Sequence, residues 1–128
     1  AGSGTIATLL PGCSLFLGIP FADARSLIAA GAAVAVASDY NPGSAPSGNM
    51  NLVVSLASIR LRMLPEEALN AATLNGAAAM ELSDELGSIA IGKRANLIVT
   101  KQIPSLNYLP YAFGSTLVDR VIINGNIY

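Results

Sequence analysis

Asp39 is the residue of this sequence best placed to carry out chemistry. It follows a run of small apolar residues, 32–37, that is typical of a strand buried on both faces. An α/β barrel carries its catalytic groups at the carboxyl ends of such strands. On pattern alone an aspartate after a strand more often caps a turn, but the buried run before Asp39 favours a functional role. A carboxylate buried there needs a cation or hydrogen-bond donors beside it.

The loop that Asp39 opens contains three further candidate binding residues. Asn41 could present a side-chain amide, Gly43 a free backbone N–H and Ser44 a hydroxyl to a polar ligand. Each of these residues is also an ordinary turn former, so each one taken alone favours a structural role. Together they make the loop a candidate polar binding site.

The elements before the loop predict one βαβ unit. Gly31 is suited to end a helix, because glycine adopts the left-handed conformation that helix C-termini favour. The predicted elements are a strand over 5–10, a turn at Pro11-Gly12, a helix over 21–30 opened by Pro20, and a strand over 33–37. Two strands joined through a helix in this way run parallel.

Two helices are predicted after the loop. Asn49 is a suitable N-cap for the first, over 50–62. Pro65, Glu66 and Glu67 begin the second, where the acids favour the positive end of the helix dipole, so they are not predicted to act as an acid/base pair. The predicted apolar face of the first helix is Leu52, Val53, Leu56 and Ile59, and that of the second is Leu69, Ala72, Thr73, Gly76, Ala77 and Met80. Gly76 is predicted to lie at a close packing of helices and not in an Asn75-Gly76 hairpin.

The pattern changes to short β segments after Leu82. Asn124-Gly125 is the strongest short hairpin signal in the sequence. The predicted elements are a turn-rich, β-like stretch over 87–93, a strand over 95–100, a loop rich in proline and tyrosine over 101–116, and a hairpin formed by 118–123 and 126–128.

The composition excludes several classes of partner. The chain is 52% hydrophobic and 12% charged, against about 25% charged in an average protein, so partner structure is expected to cover part of its surface. The net charge of −1 gives no electrostatic footprint for nucleic acid. The longest apolar stretch, 27–37, is shorter than the roughly 20 residues that a membrane helix needs. We therefore expect neither a nucleic-acid nor a membrane partner.

The cysteine count and the first residues bear on location. Cys13 is the only cysteine, so no internal disulfide is possible, and it is expected to be buried and inert. Residues 1–4 lack the basic region of a signal peptide, and the absence of an initial methionine is compatible with a processed or truncated start. A cytoplasmic location is the expectation.

Four stretches of this sequence resemble the amidohydrolase superfamily and, within it, the imidazolonepropionase family. They are residues 7–12, 38–44, 65–75 and 108–114, the last together with Val118 and Asn124-Gly125. The third stretch is generic to the superfamily, and the other three are more specific. The resemblance covers essentially the whole chain and corresponds to the C-terminal third of these enzymes.

The resemblance implies an α/β fold. Residues 1–82 would form the C-terminal part of a TIM-type (β/α)8 barrel, comprising its last two strands and flanking helices. Residues 83–128 would form a small antiparallel β-sandwich segment. A full barrel takes about 250 residues, so we expect the chain to be the C-terminal piece of a larger enzyme.

The resemblance also implies roles for the loop residues. Asp39 matches a catalytic aspartate that binds a single zinc or iron ion and shuttles a proton. Asn41 and Gly43 match positions that contact the product, N-formimidoyl-L-glutamate, and Ser44 matches a position that contacts the substrate, 4-imidazolone-5-propanoate, in histidine degradation. One departure is Asn96, where the superfamily usually has aspartate in a strand remote from the catalytic residues.

The metal site implied by the resemblance is incomplete in this sequence. The metal-binding histidines of the family lie upstream, and the chain contains no histidine. We therefore expect the isolated chain to be inactive and not to retain the metal.

Two other functions stay open. The chain could belong to another amidohydrolase, such as a cyclic-amidine deaminase or a dihydroorotase-like enzyme. It could also be a non-catalytic, stand-alone binding or assembly module, a reading that the absence of histidine permits. Self-association would be the simplest sign of such a module, because severed barrel strands expose edges and apolar faces. A homo-oligomer is the expected assembly.

Overall fold

A computed structural model describes residues 2–128 of the chain. In the first half of these residues, a pair of parallel strands forms the centre. The elements of this half up to the loop are β1 (Ile6–Leu9), α1 (Pro11–Leu17), α2 (Ala24–Ala29) and β2 (Ala33–Val36). β1 and β2 pair in parallel, with Ala7 opposite Val34 and Leu9 opposite Val36. The predicted βαβ order and parallel crossover are confirmed.

The predicted turn at Pro11-Gly12 is wrong. Pro11 is the first residue of α1, a position where its missing N–H leaves no hydrogen bond unmade. The helix ends at Gly18, whose φ of 67° is left-handed and whose N–H donates to the Leu15 carbonyl. A proline followed by glycine is typical of a turn, but here the proline begins a short helix.

The helix predicted over 21–30 begins at Ala24, because Asp23 is its N-cap. The Asp23 carboxylate accepts hydrogen bonds from the Ser26 N–H at 3.1 Å and the Ser26 hydroxyl at 2.5 Å. These donors, the hydroxyl first, lower the pKa of Asp23 below its ordinary value. Gly31 follows the helix with a φ of 75°, as predicted.

The helix after the loop, α3 (Met50–Ile59), covers the strand pair. Asn49 caps it as predicted, since its Oδ1 accepts from the Asn51 N–H at 3.0 Å and the Leu52 N–H at 3.3 Å. The helix stops before residue 62, because Arg62 adopts a left-handed φ of 57°. Ile59 was predicted on the apolar face but is 55% exposed. The core that α3 completes contains Leu9, Ala24, Val34, Val36, Val53, Val54, Ala57, Leu61, Met63, Ala68 and Ala71.

The single helix predicted from Pro65 is two helices, α4 (Pro65–Ala72) and α5 (Leu74–Ala79). The break lies at Thr73, which leaves the helical region with φ −119° and ψ −80°. The predicted positions of Thr73 and Met80 on a buried face are wrong, because both are exposed. Gly76 lies in a helix rather than a hairpin, but a Cβ there would meet the Ala71 carbonyl at an ordinary 3.5 Å, so no close packing requires glycine.

The second half of the chain forms a three-stranded antiparallel sheet. Its elements are β3 (Leu97–Thr100), α6 (Tyr108–Tyr111), β4 (Val118–Ile123) and β5 (Asn126–Ile127), with the strands in the order β3-β4-β5. The predicted hairpin is confirmed, and Asn124 and Gly125 both have the positive φ that its tight turn requires. Residues 87–93 contain no strand, so the β-like prediction there is wrong. Instead the Lys93 ammonium donates to the Ser83 and Leu86 carbonyls and ties this stretch into turns.

Large apolar side chains remain on the surface of the described residues. Among them are Leu15, Phe16, Leu17 and Ile19 on and after α1, each about half exposed. None of the helices between residues 2 and 128 has the length and apolar character needed to cross a membrane. The exposed side chains agree with the low charge of the composition.

Gly87 is the glycine with the closest neighbours in the described chain. A Cβ at this residue would lie 2.7 Å from the Ala77 Cβ and 2.9 Å from the Thr73 carbonyl oxygen. Gly92 has a similar positive φ but no neighbour within 4 Å of such a Cβ. We expect Gly87→Ala to lower the free energy of unfolding by about 1–3 kcal/mol more than Gly92→Ala. Urea unfolding followed by circular dichroism measures this difference, and equal losses would contradict the packing at Gly87.

Glu67 is expected to make the free energy of unfolding depend on pH in the acid range. Its carboxylate accepts from the Leu64 N–H at 2.8 Å and pairs with Arg25, and these contacts lower the pKa of Glu67 below its ordinary value. The stabilisation is therefore fully present above about pH 4.5 and is lost as the pH falls through the lowered pKa. We expect Glu67→Gln to destabilise the chain by up to about 1 kcal/mol at pH 7 and by less below pH 4.5.

Glu66→Gln is the matched control for this pH dependence. Glu66 lies in the same first helical turn but is exposed, so its substitution removes the same charge from the helix terminus without removing the ion pair with Arg25. Unfolding midpoints measured between pH 3 and pH 7 compare the two variants. If Glu67→Gln lost the same stability relative to wild type at every pH in this range, the ionised carboxylate would contribute nothing to the stability of the chain.

Candidate active site

The loop after β2 is closed by a backbone bridge. The Asn41 N–H donates to the Ala45 carbonyl at 3.0 Å, and these two residues form an antiparallel bridge. Ala45 is buried, whereas Tyr40 is 71% exposed. Residues 39–45, here called the site loop, are therefore anchored in the core at one end and open to solvent near the middle.

The side chain of Asn41 is the hydrogen-bonding centre of the site loop. Its Oδ1 accepts from the Gly43 N–H at 2.9 Å and the Ser44 N–H at 2.8 Å. Its Nδ2 donates to the Asp39 carbonyl at 2.5 Å and to the Ser44 Oγ at 2.9 Å. Backbone N–H groups can only donate, so these contacts fix which amide atom is the oxygen.

Asp39 lies at the open side of this network. Its φ of 53° is left-handed, a conformation that residues with a Cβ adopt rarely. The residue is half-buried, and its Oδ2 accepts from the Ser44 hydroxyl at 3.3 Å. Within residues 2–128 no other donor reaches the carboxylate, and no Lys or Arg forms an ion pair with it. The predicted donor is thus present, while a predicted cation is not supplied by these residues.

The structure brings all four predicted site residues together in one short loop. Ser44 presents its hydroxyl to Asp39, but the free N–H predicted at Gly43 is wrong, because that N–H is bonded to Asn41. An asparagine followed two and three residues later by glycine and serine is a recognised pattern for a side-chain-closed turn, so this contact had a signal in the sequence.

Two residues outside the predicted set hold the end of the loop. The Nδ2 of Asn49 donates to the Gly114 carbonyl at 3.0 Å, in addition to the cap that its Oδ1 provides. A Cβ on Gly114 would lie 3.1 Å from the Leu52 Cβ, so the two segments are in close contact. The sequence predicted the cap at Asn49, but it gave no signal for a contact with a segment 65 residues away.

Asp39 fits a metal site as one ligand of several. Its Oδ2 faces Ser44, which leaves the second carboxylate oxygen without a donor among the residues described. No cluster of three or more His, Cys, Asp or Glu side chains occurs between residues 2 and 128. Zinc and iron sites in proteins take several side-chain ligands. The residues present therefore fit a contribution to such a site and not a complete one.

A small apolar cavity lies beside the second half of the site loop. Its volume is about 140 Å³, and Leu15, Phe16, Ala45, Pro46 and Leu52 are among its lining residues. Asp39 and Asn41 do not line it. The cavity therefore adjoins the loop at Ala45 and is not lined by the Asp39 carboxylate or the Asn41 amide.

Sequence comparisons connect the chain with one enzyme family. A sequence model of the amidohydrolase family matches residues 8–128. The chain is 58% identical to an imidazolonepropionase from Christiangramia forsetii over 126 residues, which are 98% of this chain and 31% of that protein. It is 57% identical to an imidazolonepropionase from Flavobacterium johnsoniae with the same coverage. The chain thus spans about a third of the length of the curated relatives it matches.

A solved structure shares the fold. The chain superposes on an adenosine deaminase from Xanthomonas campestris with bound zinc, with a TM-score of 0.83 and 28% identity. The superposition covers 95% of this chain and 31% of that one. Both halves of the chain are therefore arranged as in part of a known enzyme.

Asn49 offers a test of how the end of the site loop is held. Asn49→Ala removes both the helix cap and the bond to Gly114, and we expect a loss of about 1–2 kcal/mol in the free energy of unfolding. Asn49→Asp keeps the capping oxygen and loses only the donor to Gly114, so a smaller loss is expected. Asn51→Ala, which makes no side-chain hydrogen bond among the described residues, is the control. Equal stability of Asn49→Ala and Asn51→Ala in urea would contradict both roles.

Proposed function

The chain belongs to the amidohydrolase family, and we propose that the whole protein opens the cyclic amide of 4-imidazolone-5-propanoate to give N-formimidoyl-L-glutamate. The observation that carries this proposal is the position of Asp39. Its carboxylate stands at the carboxyl end of a buried parallel strand, in a chain that is 58% identical to an imidazolonepropionase. The fold supports the proposal, because it matches part of an amidohydrolase barrel.

The proposed reaction moves one proton from water to the ring. The oxygen of water forms a bond to the ring carbonyl carbon, and the bond from that carbon to the ring nitrogen breaks. Asp39 takes the proton that the attacking water loses and delivers it to the departing nitrogen. The half-buried carboxylate accepts one bond, from Ser44 to Oδ2, and its other oxygen has no donor among the described residues.

We assign one zinc or iron ion to the whole protein, with Asp39 as one of its ligands. When bound, such an ion supplies Lewis acidity that activates water and polarises a carbonyl group. The remaining ligands lie outside this sequence, because it contains no histidine and its described part has no cluster of ligating side chains. The zinc present in the adenosine deaminase with the same fold supports a divalent ion.

The rest of the site loop is proposed to line the substrate. Gly43 is exposed and Ser44 half-buried, so the loop offers surface beside the Asp39 carboxylate. Ser44 is proposed to contact the imidazolone propionate, and Asn41 and Gly43 to lie next to the N-formimidoyl-glutamate that forms from it. The small apolar cavity is not part of this arrangement.

Deamination of a cyclic amidine is the second candidate function, because an adenosine deaminase shares the fold. The higher identity to imidazolonepropionases favours lactam opening. The products distinguish the two reactions, since a deaminase releases ammonia and the opening of a cyclic amide does not. A coupled ammonia assay run beside an assay for N-formimidoyl-L-glutamate decides between them.

Other properties stay predictions. These are a division of the chain near residue 82, a β-sandwich that the β3-β4-β5 sheet would form with further strands, a cytoplasmic location and a homo-oligomer. The described residues contain that sheet alone in the second half. Further strands of the whole protein would supply the facing layer.

Asp39→Asn tests the proposed function in the whole protein. The amide keeps the shape of the side chain but is a poor proton acceptor, so we expect kcat to fall by at least about 10²-fold. Asp84→Asn removes an aspartate that is exposed and forms no ion pair in the described chain, and it is the control. Turnover of 4-imidazolone-5-propanoate by Asp39→Asn at the wild-type rate would refute the role of Asp39.

The isolated 128-residue chain is expected to show no lactam turnover. A single carboxylate does not make a metal site, and the other groups are absent from this sequence. Detection of the open-chain product with the purified chain alone would mean that the reaction needs nothing beyond these residues.

A further inference from the structure

We propose that a cleft between the start of α2 and the end of α3 binds a small oxyanion, the carboxylate or phosphate group of a small molecule. The cleft has a volume of about 340 Å³, and ligand clefts in proteins begin at about 300 Å³. Its lining includes Phe21, Asp23, Arg25, Arg60, Leu61 and Arg62. No residue of the site loop lines it, so the inference is separate from the reaction proposed for the whole protein.

The charged groups of the cleft leave positive charge in excess. Three of the seven Lys and Arg residues of the chain line it. Arg25 forms an ion pair with Glu67. The guanidinium groups of Arg60 and Arg62 form neither an ion pair nor a hydrogen bond with any residue between 2 and 128. Two unused sets of N–H donors therefore line one concave surface.

Asp23 does not satisfy these donors, although it lines the same cleft. Its Oδ1 accepts from the Ser26 N–H at 3.1 Å, and its Oδ2 accepts from the Ser26 hydroxyl at 2.5 Å. These hydrogen bonds, and to a smaller extent the charge of Arg62, lower the pKa of Asp23. With Asp23 and Glu67 both ionised, the three arginines still leave one positive charge in excess. An added oxyanion would supply the acceptors that Arg60 and Arg62 lack.

Arg60 is held in place before an anion binds. Its Cζ lies 4.4 Å from the centroid of the Phe21 ring, which is a cation–π contact. This contact restricts the side chain but gives its N–H groups no oxygen acceptor. They stay available for two oxygens of one carboxylate or phosphate, the geometry that a guanidinium group favours. A donor that is already restricted loses less conformational freedom when a ligand binds.

Arg62 occupies a backbone position that favours glycine. It follows the end of α3, and its φ of 57° is left-handed. Glycine is the usual residue in this conformation after a helix, because a Cβ is disfavoured there. A positive charge near a helix C-terminus is favourable, but the neighbouring Arg60 already provides one. The backbone therefore does not explain an arginine at residue 62, whereas an anion in the cleft does.

The first test measures anion binding by the whole protein. Inorganic phosphate and succinate are titrated by calorimetry at low ionic strength, with sodium chloride as the control for screening. We expect Arg60→Gln to weaken binding by about 10-fold or more, because it removes charge-assisted hydrogen bonds. Arg94→Gln and Arg120→Gln should match wild type, since both arginines pair with carboxylates and lie outside the cleft.

The two probes distinguish the sources of the oxyanion. Binding of phosphate alone would indicate a phosphorylated ligand, and binding of succinate alone would indicate a carboxylic acid. Binding of both would show that the cleft recognises the paired oxygens that the two groups share. Binding of neither overturns the proposal, as does equal affinity of wild type and Arg60→Gln.

Arg62→Gly separates loss of the ligand from loss of the fold. Glycine removes the guanidinium group and also relieves the left-handed backbone, so the unfolding temperature should stay the same or rise. Anion affinity should nevertheless fall by about 10-fold or more. Affinity equal to that of wild type would overturn the role of Arg62 in the cleft.

Asp39→Asn shows whether the anion binds at the cleft or at the site loop. Because Asp39 does not line the cleft, this variant should bind the probes as wild type does. Loss of binding in Asp39→Asn together with full binding in Arg60→Gln would assign the anion to the site loop and overturn the proposal. The measurement is binding and not turnover, so its result does not depend on the opening of the lactam.

Discussion

The burial of β2 determines where the candidate active site lies. Val34, Ala35 and Val36 are each less than 5% exposed, so the strand is covered on both faces. Its backbone is bonded to β1 in parallel, and the Asn75 side chain donates to the Val34 carbonyl at 2.8 Å. A slip of one residue would exchange the side chains packed on the two faces and break the bonds to β1 and Asn75. The point at which Asp39 leaves the strand is therefore fixed.

The helix after the site loop is held by a contact from the second half of the chain. Asn49 caps α3 with its oxygen and binds the Gly114 carbonyl with its nitrogen. Gly114 allows the close approach because it carries no Cβ next to Leu52. The end of the site loop is thereby tied to a segment far along the sequence. The antiparallel half of the molecule thus has a structural connection with the site loop.

The sequence predicted the elements whose signals are local. The cap at Asn49 and the hairpin at Asn124-Gly125 each depend on residues within a few positions of one another. The pairing of β1 with β2 joins distant residues, but each strand and the helical segment between them has its own local pattern. The errors occur where a local pattern has more than one outcome or where a packing contact decides. Thr73 leaves the helical conformation inside an unbroken helix pattern, and the close contact of Gly87 with Ala77 is not visible in a periodicity. The start of a helix at Pro11 was missed because proline serves both as a stop and as a first residue.

The candidate site could be located from the sequence, but the use of its donors could not. The sequence shows that residues 41–44 carry an amide, an N–H and a hydroxyl, and it cannot show that these groups bind one another. Within residues 2–128, the hydrogen bonds made by the Asp39 carbonyl and carboxylate join residues at most five positions apart, so these contacts are local. A loop held by contacts this local can keep its geometry through changes in distant elements.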